Sequence, residues 1–290
     1  MKGMQGDRIY IFLFLAPAIV VTGIFLYYPF VNNLLQSFYK TDGFFNSTFI
    51  GLDNYIRLWN DEIARTAFFN SIELMIYVTV FQVGIALVLA IMVNSITKGA
   101  GFYRTTFFFP IVISGAAIGL LFTLIYNYRN GLLNEILVNL GWERVLWLTE
   151  QSSLYMVAIP TIWNYVGFYF VILLTAIQKI PNDFYEAAKL EGITGVQKMF
   201  RLTIPLIVTD LKTCIVLAIT GTLKIFELVY IITRGGPGNS SEVLGTYMYQ
   251  KAFEDTAMGY GATIAVLIVA LGLTLAFITN KLLKNDEVTY

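Results

Sequence analysis

The sequence contains no histidine and only one cysteine, Cys214. Histidine is the commonest metal ligand and a frequent general base near neutral pH, so its absence removes many catalytic and metal-binding designs. A single cysteine cannot form an internal disulfide or a cysteine metal cluster. The G-x-x-x-x-G-K run of nucleotide-hydrolysing proteins is missing as well. We therefore predict a chain that is not an enzyme, with no catalytic or metal-binding residues and no cofactor of its own.

Charged residues are also scarce, at 13% of the chain, against about 25% in a typical soluble domain. The net charge is zero, which gives no reason to expect a nucleic acid as a partner. Apolar residues, in contrast, make up 57% of the 290 positions, and the mean hydropathy is +0.68. This composition indicates an integral protein of a lipid bilayer.

Six long apolar runs alternate with more polar segments. Each run reaches the roughly 20 residues that an α-helix needs to cross about 30 Å of hydrocarbon. The runs cover residues 10–30, 68–96, 105–126, 154–177, 206–232 and 259–283. We predict an all-α membrane protein with six transmembrane helices that form a single domain over residues 1–290.

Lysine and arginine are divided unevenly between the polar segments. One set of segments (the N-terminus, the 97–104 and 178–205 loops and the C-terminal end) holds Lys2, Arg8, Lys98, Arg104, Lys179, Lys189, Lys198, Arg201, Lys281 and Lys284. The three other loops, which are far longer in total, hold Lys40, Arg57, Arg65, Arg129, Arg144, Arg234 and Lys251. Because lysine and arginine are enriched on the cytoplasmic side of membrane proteins, both termini and the 178–205 loop are predicted to be cytoplasmic.

The polar segment from Pro181 to Pro205 has strong signals for two short helices. Asp183 stands in an N-cap position with Glu186 three residues later, which is the capping-box spacing, and Gly192 is a typical helix stop. Thr194 and Gln197 repeat the capping-box spacing. A second helix is then expected to end before Pro205, because a proline disfavours the helical conformation of the residue before it. The residues alone leave open an ordinary amphipathic loop at the membrane surface.

The residues Glu186-Ala187-Ala188, Gly192 and Ile204-Pro205 resemble the EAA motif of permease subunits in ABC importers. Their spacing is similar to that of the carbohydrate-importer branch, the maltose-permease-like family. Glu191 stands where aspartate is usual, Ile193 where alanine is usual, and the closing I-x-L-P has Leu202 and Ile204. The run T-x-G-G-P at 233–237, followed by G-Y-G-A at 259–262, also resembles these permeases. The likeness extends from about Trp163 to the C-terminus.

The resemblance implies the fold of a type I ABC importer permease. It also implies that the Pro181–Pro205 loop forms a coupling helix that docks on a cytoplasmic ATPase subunit. The residues expected to serve this docking are Tyr185, Glu186, Ala187, Ala188, Glu191, Gly192 and Pro205. In this interpretation the two alanines permit close approach, and Gly192 allows the sharp turn. Glu186 is expected both to cap its own helix and to offer a carboxylate at the docking surface.

A transport path needs polar groups within the membrane, where they are otherwise costly. The fourth run supplies Thr161, Trp163, Asn164, Tyr165 and Phe168, a mixture of hydroxyl, amide and aromatic groups that suits a sugar. In the fifth run, Lys224 and Glu227 at i and i+3 are expected to share a helix face. The alternatives are that the aromatic residues serve only packing and that Lys224 and Glu227 form an internal ion pair.

We therefore predict a permease subunit of an ATP-driven sugar importer in a bacterial-type cell membrane. The substrate is expected to be a neutral oligosaccharide, because Lys224 is the one cation in the presumed path. As partners the resemblance implies a second homologous permease, two ATPase subunits that hold ATP and magnesium, and an extracytoplasmic sugar-binding protein. The alternatives are a permease for a glycerol-phosphate-like or charged sugar, and a secondary transporter driven by an ion gradient.

Overall fold

A computed structural model describes residues 3–44, 46–96 and 99–282. Lys2, Lys98 and Lys284, which contribute to the predicted orientation, and residue 283, the predicted end of the sixth span, lie outside the described residues. The chain divides into two compact units. The first contains the residues up to Asp61 together with Met248–Leu267, and the second contains Glu62–Tyr247 together with the residues from Ile268 onward.

The first unit begins with a long helical segment. The helix α1 (Gly3–Thr22) continues through a π-helical turn (Gly23–Tyr27) into α2 (Tyr28–Gln36). A hairpin follows, in which β1 (Tyr39–Thr41) pairs antiparallel with β2 (Ser47–Phe49), and α3 (Asp53–Asn60) comes next. The buried Asn54 amide joins these elements, because it donates to the carbonyls of Ser37 at 2.9 Å and Tyr39 at 3.0 Å. The hydropathy pattern gave no sign of this hairpin.

The second unit contains most of the helices. They are α4 (Glu62–Asn94), α5 (Ala100–Phe108), α6 (Gly115–Ile125), α7 (Leu132–Asn139), α8 (Ser153–Gln178), α9 (Asn182–Leu190), α10 (Gly195–Lys198), α11 (Ile204–Leu206), α12 (Val208–Thr222) and α13 (Glu227–Ile232). Two further helices belong partly to each unit, α14 (Leu244–Tyr249) and α15 (Met258–Leu282).

Four helical segments of the described residues are long and apolar enough to cross a membrane. They are Leu13–Gln36, Glu62–Asn94, Ser153–Gln178 and Met258–Lys281. Two bent pairs also pass this test, Ala100–Val112 with Gly115–Ile125 and Gly195–Leu206 with Val208–Thr222, so the number rises to six if each pair is one span. The predicted class, a multi-pass membrane protein built from helices, is confirmed.

The third predicted span, 105–126, is not one helix. The helix α5 passes into a 3₁₀ turn at Phe109–Val112, and α6 then leaves at 91° to it. Pro110 lacks the N–H that an α-helix would need at this point. Ser114 then opens α6, because its Oγ accepts a hydrogen bond from the Ala117 N–H at 3.3 Å.

The fifth predicted span, 206–232, is also broken. The helix α12 ends at Thr222, and α13 begins at Glu227. Between them the N–H groups of Lys224 and Ile225 bond three residues back, to the carbonyls of Gly221 and Thr222, which tightens and ends the helix. Gly245 lies directly against the Ile225 carbonyl, where a side chain would collide with the backbone.

The helix α8 is at the centre of the second unit. One end packs into a cluster that includes Phe170, Leu173 and Ala86, and the other end packs into a cluster that includes Val157 and Ile118. At Gly167 the backbone of α8 comes so close to the carbonyl of Phe107 that a β-carbon would not fit. The backbones of α8 and α5 are therefore in direct contact.

Pro160 lies inside α8 and cannot donate to the carbonyl of Met156, its normal partner four residues back. The hydroxyl of Tyr126, immediately after α6, donates to this carbonyl instead at 2.9 Å. Tyr126 is only 4% exposed. The donor that proline removes from the helix is therefore replaced by a side chain of another element.

Candidate functional sites

A cavity of about 380 Å³ lies within the second unit, between α4, α6, α8 and the break that separates α12 from α13. Its size is within the range of small-molecule binding sites. The lining residues are Gln82, Gly115, Thr161, Asn164, Tyr165, Tyr169, Ala218, Gly221, Thr222, Lys224, Ile225, Phe226, Glu227 and Leu228. Tyr165, Lys224 and Glu227 are exposed in the isolated chain, so one side of the cavity is open.

The structure brings together five of the seven predicted path residues, namely Thr161, Asn164, Tyr165, Lys224 and Glu227. Trp163 and Phe168 do not line this cavity. Trp163 lies in an apolar groove between α4 and α8 and contacts Phe122, with the ring centroids 6.0 Å apart. Phe168 packs edge-on against Tyr169 at 5.3 Å. Trp163 and Phe168 are therefore not part of the cavity wall, and their positions are explained by their packing contacts.

Asn164 is the most informative residue of the cavity. It is 4% exposed, and its Oδ1 atom has no hydrogen-bond partner among the described residues. A buried amide oxygen without a partner is costly, and Asn164 is one of the residues that line the cavity. Beside it, the buried Gln82 donates from Nε2 to the Thr161 carbonyl at 3.1 Å. Gln82 is not among the predicted path residues, although an amide inside an apolar run is a detectable signal.

The predicted shared helix face of Lys224 and Glu227 is wrong, because Lys224 lies in the break and Glu227 is the first residue of α13. The described residues contain no ion pair between them, so the alternative interpretation of an internal ion pair fails as well. Each charge instead lies near a helix end of opposite sign. Lys224 follows the C-terminal end of α12, where the helix dipole favours a cation. The Glu227 carboxylate lies against Gly115, the first residue of α6, where the dipole favours an anion.

Two glycines of α6 allow this placement. Gly115 and Gly119 are four residues apart and therefore share a face of the helix. A β-carbon at Gly115 would collide with the Glu227 carboxylate, and one at Gly119 would lie 2.9 Å from a methyl carbon of Ile231. This is the small-x-x-x-small packing that lets membrane helices approach closely. Because Gly115 and Gly119 have no side chains, α13 can approach α6 closely, and the Glu227 carboxylate can lie against the first residue of α6.

The predicted coupling segment consists of α9, α10, a π-helical turn (Met199–Thr203) and α11. The predicted capping boxes are wrong. The helix α9 begins at Asn182 with Pro181 at the N-cap, so Asp183 lies inside the first turn, and Glu186 does not cap it. Thr194 does stand at the N-cap of α10. Neither helix has a side-chain cap hydrogen bond within the described part of the chain.

Gly192 ends α9 as predicted. Its φ is +74°, a conformation that residues with a β-carbon rarely adopt. The Gly192 N–H donates to the Lys189 carbonyl at 3.0 Å, and the Ile193 N–H donates to the Ala188 carbonyl at 2.8 Å. This pair of bonds is a Schellman motif, which satisfies carbonyls at the helix end.

The side chains of α9 divide into two faces. Ala188 is buried, and Tyr185 packs against the core cluster, with Lys198 Nζ 5.4 Å from the centre of its ring. The exposed positions of the segment include Glu186, Ala187, Leu190, Glu191, Gly192, Val196, Phe200 and Pro205. The predicted docking set therefore separates into an outward group and two residues, Tyr185 and Ala188, that hold the helix against its own chain.

The prediction that the second helix ends before Pro205 is wrong. The π-helical turn continues into α11, with Pro205 as its second residue. The break comes two residues later at Ile207, and α12 leaves at 77° to the preceding helical segment. Proline is therefore accommodated within this helical segment instead of ending it.

No protein-family model matches the chain. The chain is 36% identical to the "Probable ABC transporter permease protein YurN" of Bacillus subtilis, over 98% of this chain and 99% of the relative. It is 32% identical to the "Lactose transport system permease protein LacF" of Rhizobium radiobacter, over 92% and 91% of the two chains. Among solved structures, it is similar to a chain of the bacterial alginate ABC transporter crystallised in complex with an alginate pentasaccharide-bound periplasmic protein. The TM-score is 0.83 and the identity 23%, over 97% of this chain and 95% of that one.

The structural likeness confirms the predicted permease fold. The sequence likeness covers nearly the whole chain at an identity that establishes common descent. The chain therefore belongs to the family of ABC transporter permease proteins, and it is a transport component rather than an enzyme.

Proposed function

We propose that this chain forms part of the translocation path of an ATP-driven importer for neutral sugars, in particular oligosaccharides. The observation that carries the proposal is the polar and aromatic lining of the cavity, which includes Asn164, a buried amide whose Oδ1 has no hydrogen-bond partner among the described residues. A sugar hydroxyl is a donor of suitable size and polarity for such an oxygen. The hydroxyl of Thr222 and the rings of Tyr165 and Tyr169 add the polar and aromatic groups that sugars need.

The charges of the cavity support an uncharged substrate. The described residues of its lining include one lysine and one glutamate, each placed at a helix end of opposite sign, so their net charge is zero. A phosphorylated or otherwise anionic sugar would be expected to meet several cations. The relative LacF, named for lactose transport, is in keeping with a sugar as substrate.

The open side of the cavity supports a second, homologous permease as the partner that completes the path. A soluble sugar-binding protein outside the membrane would deliver the substrate, as the periplasmic protein in the alginate transporter complex suggests.

The coupling segment supports two ATPase subunits as cytoplasmic partners, which would hold the ATP and magnesium. Its outward group offers a carboxylate, Glu186, beside the small side chain of Ala187 and the 90% exposed Leu190. Both termini and this segment are then cytoplasmic, in a bacterial-type cell membrane. Because α9 follows α8 after a short turn, movement of the segment would reach the cavity wall directly.

The test is uptake into proteoliposomes that contain the complete transporter and its binding protein. We expect at least one neutral saccharide in a labelled panel from lactose to maltopentaose to accumulate only when ATP is supplied, with glycerol 3-phosphate excluded. Asn164→Leu should lower uptake about tenfold, the equivalent of one hydrogen bond. Trp163→Phe, on the same helix but outside the cavity, should leave uptake unchanged.

Three results would refute parts of the proposal separately. Uptake that continues without ATP and stops with an ionophore would show an ion-coupled transporter. Uptake of glycerol 3-phosphate but of no saccharide would overturn the substrate class. Equal uptake by the Asn164→Leu variant and the wild type would remove the cavity from the path.

A further inference from the structure

A second groove, of about 280 Å³, lies between the beginning of α12 and the end of α15, within the second unit. It is lined by Thr209, Lys212, Thr213, Val216, Leu217 and Asn280. On α12 these residues lie on the side opposite to Cys214 and Ala218, which are buried toward the core and the cavity. The groove is therefore separate from the proposed path.

The polar end of this groove offers hydrogen-bond donors and positive charge. Lys212 is half-buried and has no ion-pair or hydrogen-bond partner among residues 3–44, 46–96 and 99–282. The Asn280 amide and the Thr209 hydroxyl lie in the same lining. The Thr213 hydroxyl, in contrast, donates its hydrogen bond to the Thr209 carbonyl at 3.0 Å. None of the described residues that line the groove is acidic. Asp210 is directed elsewhere, because at i and i+4 it shares the face of the buried Cys214.

Exposed apolar side chains lie on the same two helices, and one of them, Leu217, lines the groove. Leu217 is 41% exposed on α12, and Leu273 and Phe277 are 68% and 69% exposed on α15. Leu273, Phe277 and Asn280 are spaced at i, i+4 and i+7, so they form one face of α15 with the amide at its end. A ligand that matches this arrangement has an anionic head and a long apolar tail.

We propose that this groove binds an anionic phospholipid, with the headgroup phosphate at Lys212 and Asn280 and an acyl chain along Leu217, Leu273 and Phe277. Basic pockets between transmembrane helices at the cytoplasmic surface are suited to anionic headgroups. The groove lies where α12 begins and α15 ends, and we place these helix ends at a membrane surface. The assignment of this surface to the cytoplasmic leaflet rests on the orientation given under the proposed function.

The test counts lipids that remain bound to the complete transporter. The purified, delipidated complex is titrated with dioleoylphosphatidylglycerol, dioleoylphosphatidylcholine or inorganic phosphate, and bound molecules are counted by native mass spectrometry. We expect Lys212→Gln to weaken the binding of one phosphatidylglycerol per chain about fivefold. Lys281→Gln removes an exposed cation at the same helix end that does not line the groove, and it should bind like the wild type.

Two further variants keep the test decisive. Lys212→Arg retains the charge and should retain the lipid, and Asn280→Leu removes a donor from the other helix and should weaken binding. Equal binding by the wild type and Lys212→Gln, or equal binding of the two phospholipids, would overturn the proposal. Binding of inorganic phosphate in place of the lipid would assign the groove to a soluble anion. Because only bound molecules are counted, none of these results depends on whether the transporter carries sugar.

Discussion

The hydrogen bond from the Tyr126 hydroxyl to the Met156 carbonyl allows a quantitative prediction. Pro160 deprives this carbonyl of its donor within α8, and the 2.9 Å bond from Tyr126 replaces it. Tyr126→Phe removes the replacement and leaves a partly buried carbonyl unpaired. Pro160→Ala supplies a backbone N–H at the position from which an α-helix normally donates. The effects of the two substitutions on the free energy of unfolding should therefore be strongly coupled, because each substitution changes how much the other one costs.

The size of the coupling can be estimated. An unpaired buried carbonyl costs about 1–3 kcal/mol, whereas interhelical hydrogen bonds in membranes reach at most about 1.7 kcal/mol in double-mutant cycles. We therefore expect Tyr126→Phe to lower the free energy of unfolding by about 1.5 kcal/mol in the wild type. In the Pro160→Ala background, where the carbonyl has its own N–H, the loss should be below about 0.5 kcal/mol.

The assay is reversible unfolding of the purified chain in mixed micelles of increasing dodecyl sulfate content, followed by circular dichroism for all four members of the cycle. The expected coupling energy is about 1 kcal/mol or more, well above the usual deviation from additivity of about 0.3–0.5 kcal/mol. If Tyr126→Phe costs the same in both backgrounds, the hydroxyl does not replace the donor that Pro160 removes, and the reasoning is refuted.

Two further predictions concern glycines. Gly115→Ala should displace the Glu227 carboxylate in the cavity and reduce ATP-driven uptake at least tenfold. Gly101→Ala is the control, because it has open space around it and should leave uptake unchanged. Equal effects of the two substitutions would contradict the close packing of Gly115 against Glu227. Gly192→Ala should cost about 1–2 kcal/mol through its positive φ and reduce the amount of ATPase that co-purifies. Gly141→Ala carries the same kind of strain in a different loop, so loss of ATPase in both variants would show a general folding defect.

The sequence was sufficient for the features that depend on length and composition. Apolar runs of more than 20 residues predict membrane helices whatever their neighbours, and Gly192 is a helix stop because few other residues adopt its φ. The breaks at Ile113 and after Thr222 were not predicted, since hydropathy is as high in a bent segment as in a straight one. The error over Lys224 and Glu227 follows directly, because the i, i+3 rule holds only within a continuous helix.

The direction in which each side chain points was the other feature that could not be predicted from the sequence. Trp163 and Tyr165 are both aromatic and only two residues apart, but two residues turn an α-helix by about 200°, so they point to opposite sides. Composition identifies both as suitable for a sugar, and only the packing of α4 and α6 around α8 shows that Tyr165 lines the cavity. Similarly, Ala187 and Ala188 are equivalent in the motif, yet one is exposed and the other is buried.

The contact between Gly167 and the Phe107 carbonyl has a mechanical consequence. Helices usually slide past each other by small changes in side-chain rotamers, and here no side chain separates the two backbones. At this point no side chains lie between α5 and α8, so we expect a displacement of α8 to move α5 with it. Because α5 leads through a sharp bend to α6, whose first residue lies against Glu227, we expect motion of α8 to be passed through α5 toward the cavity carboxylate.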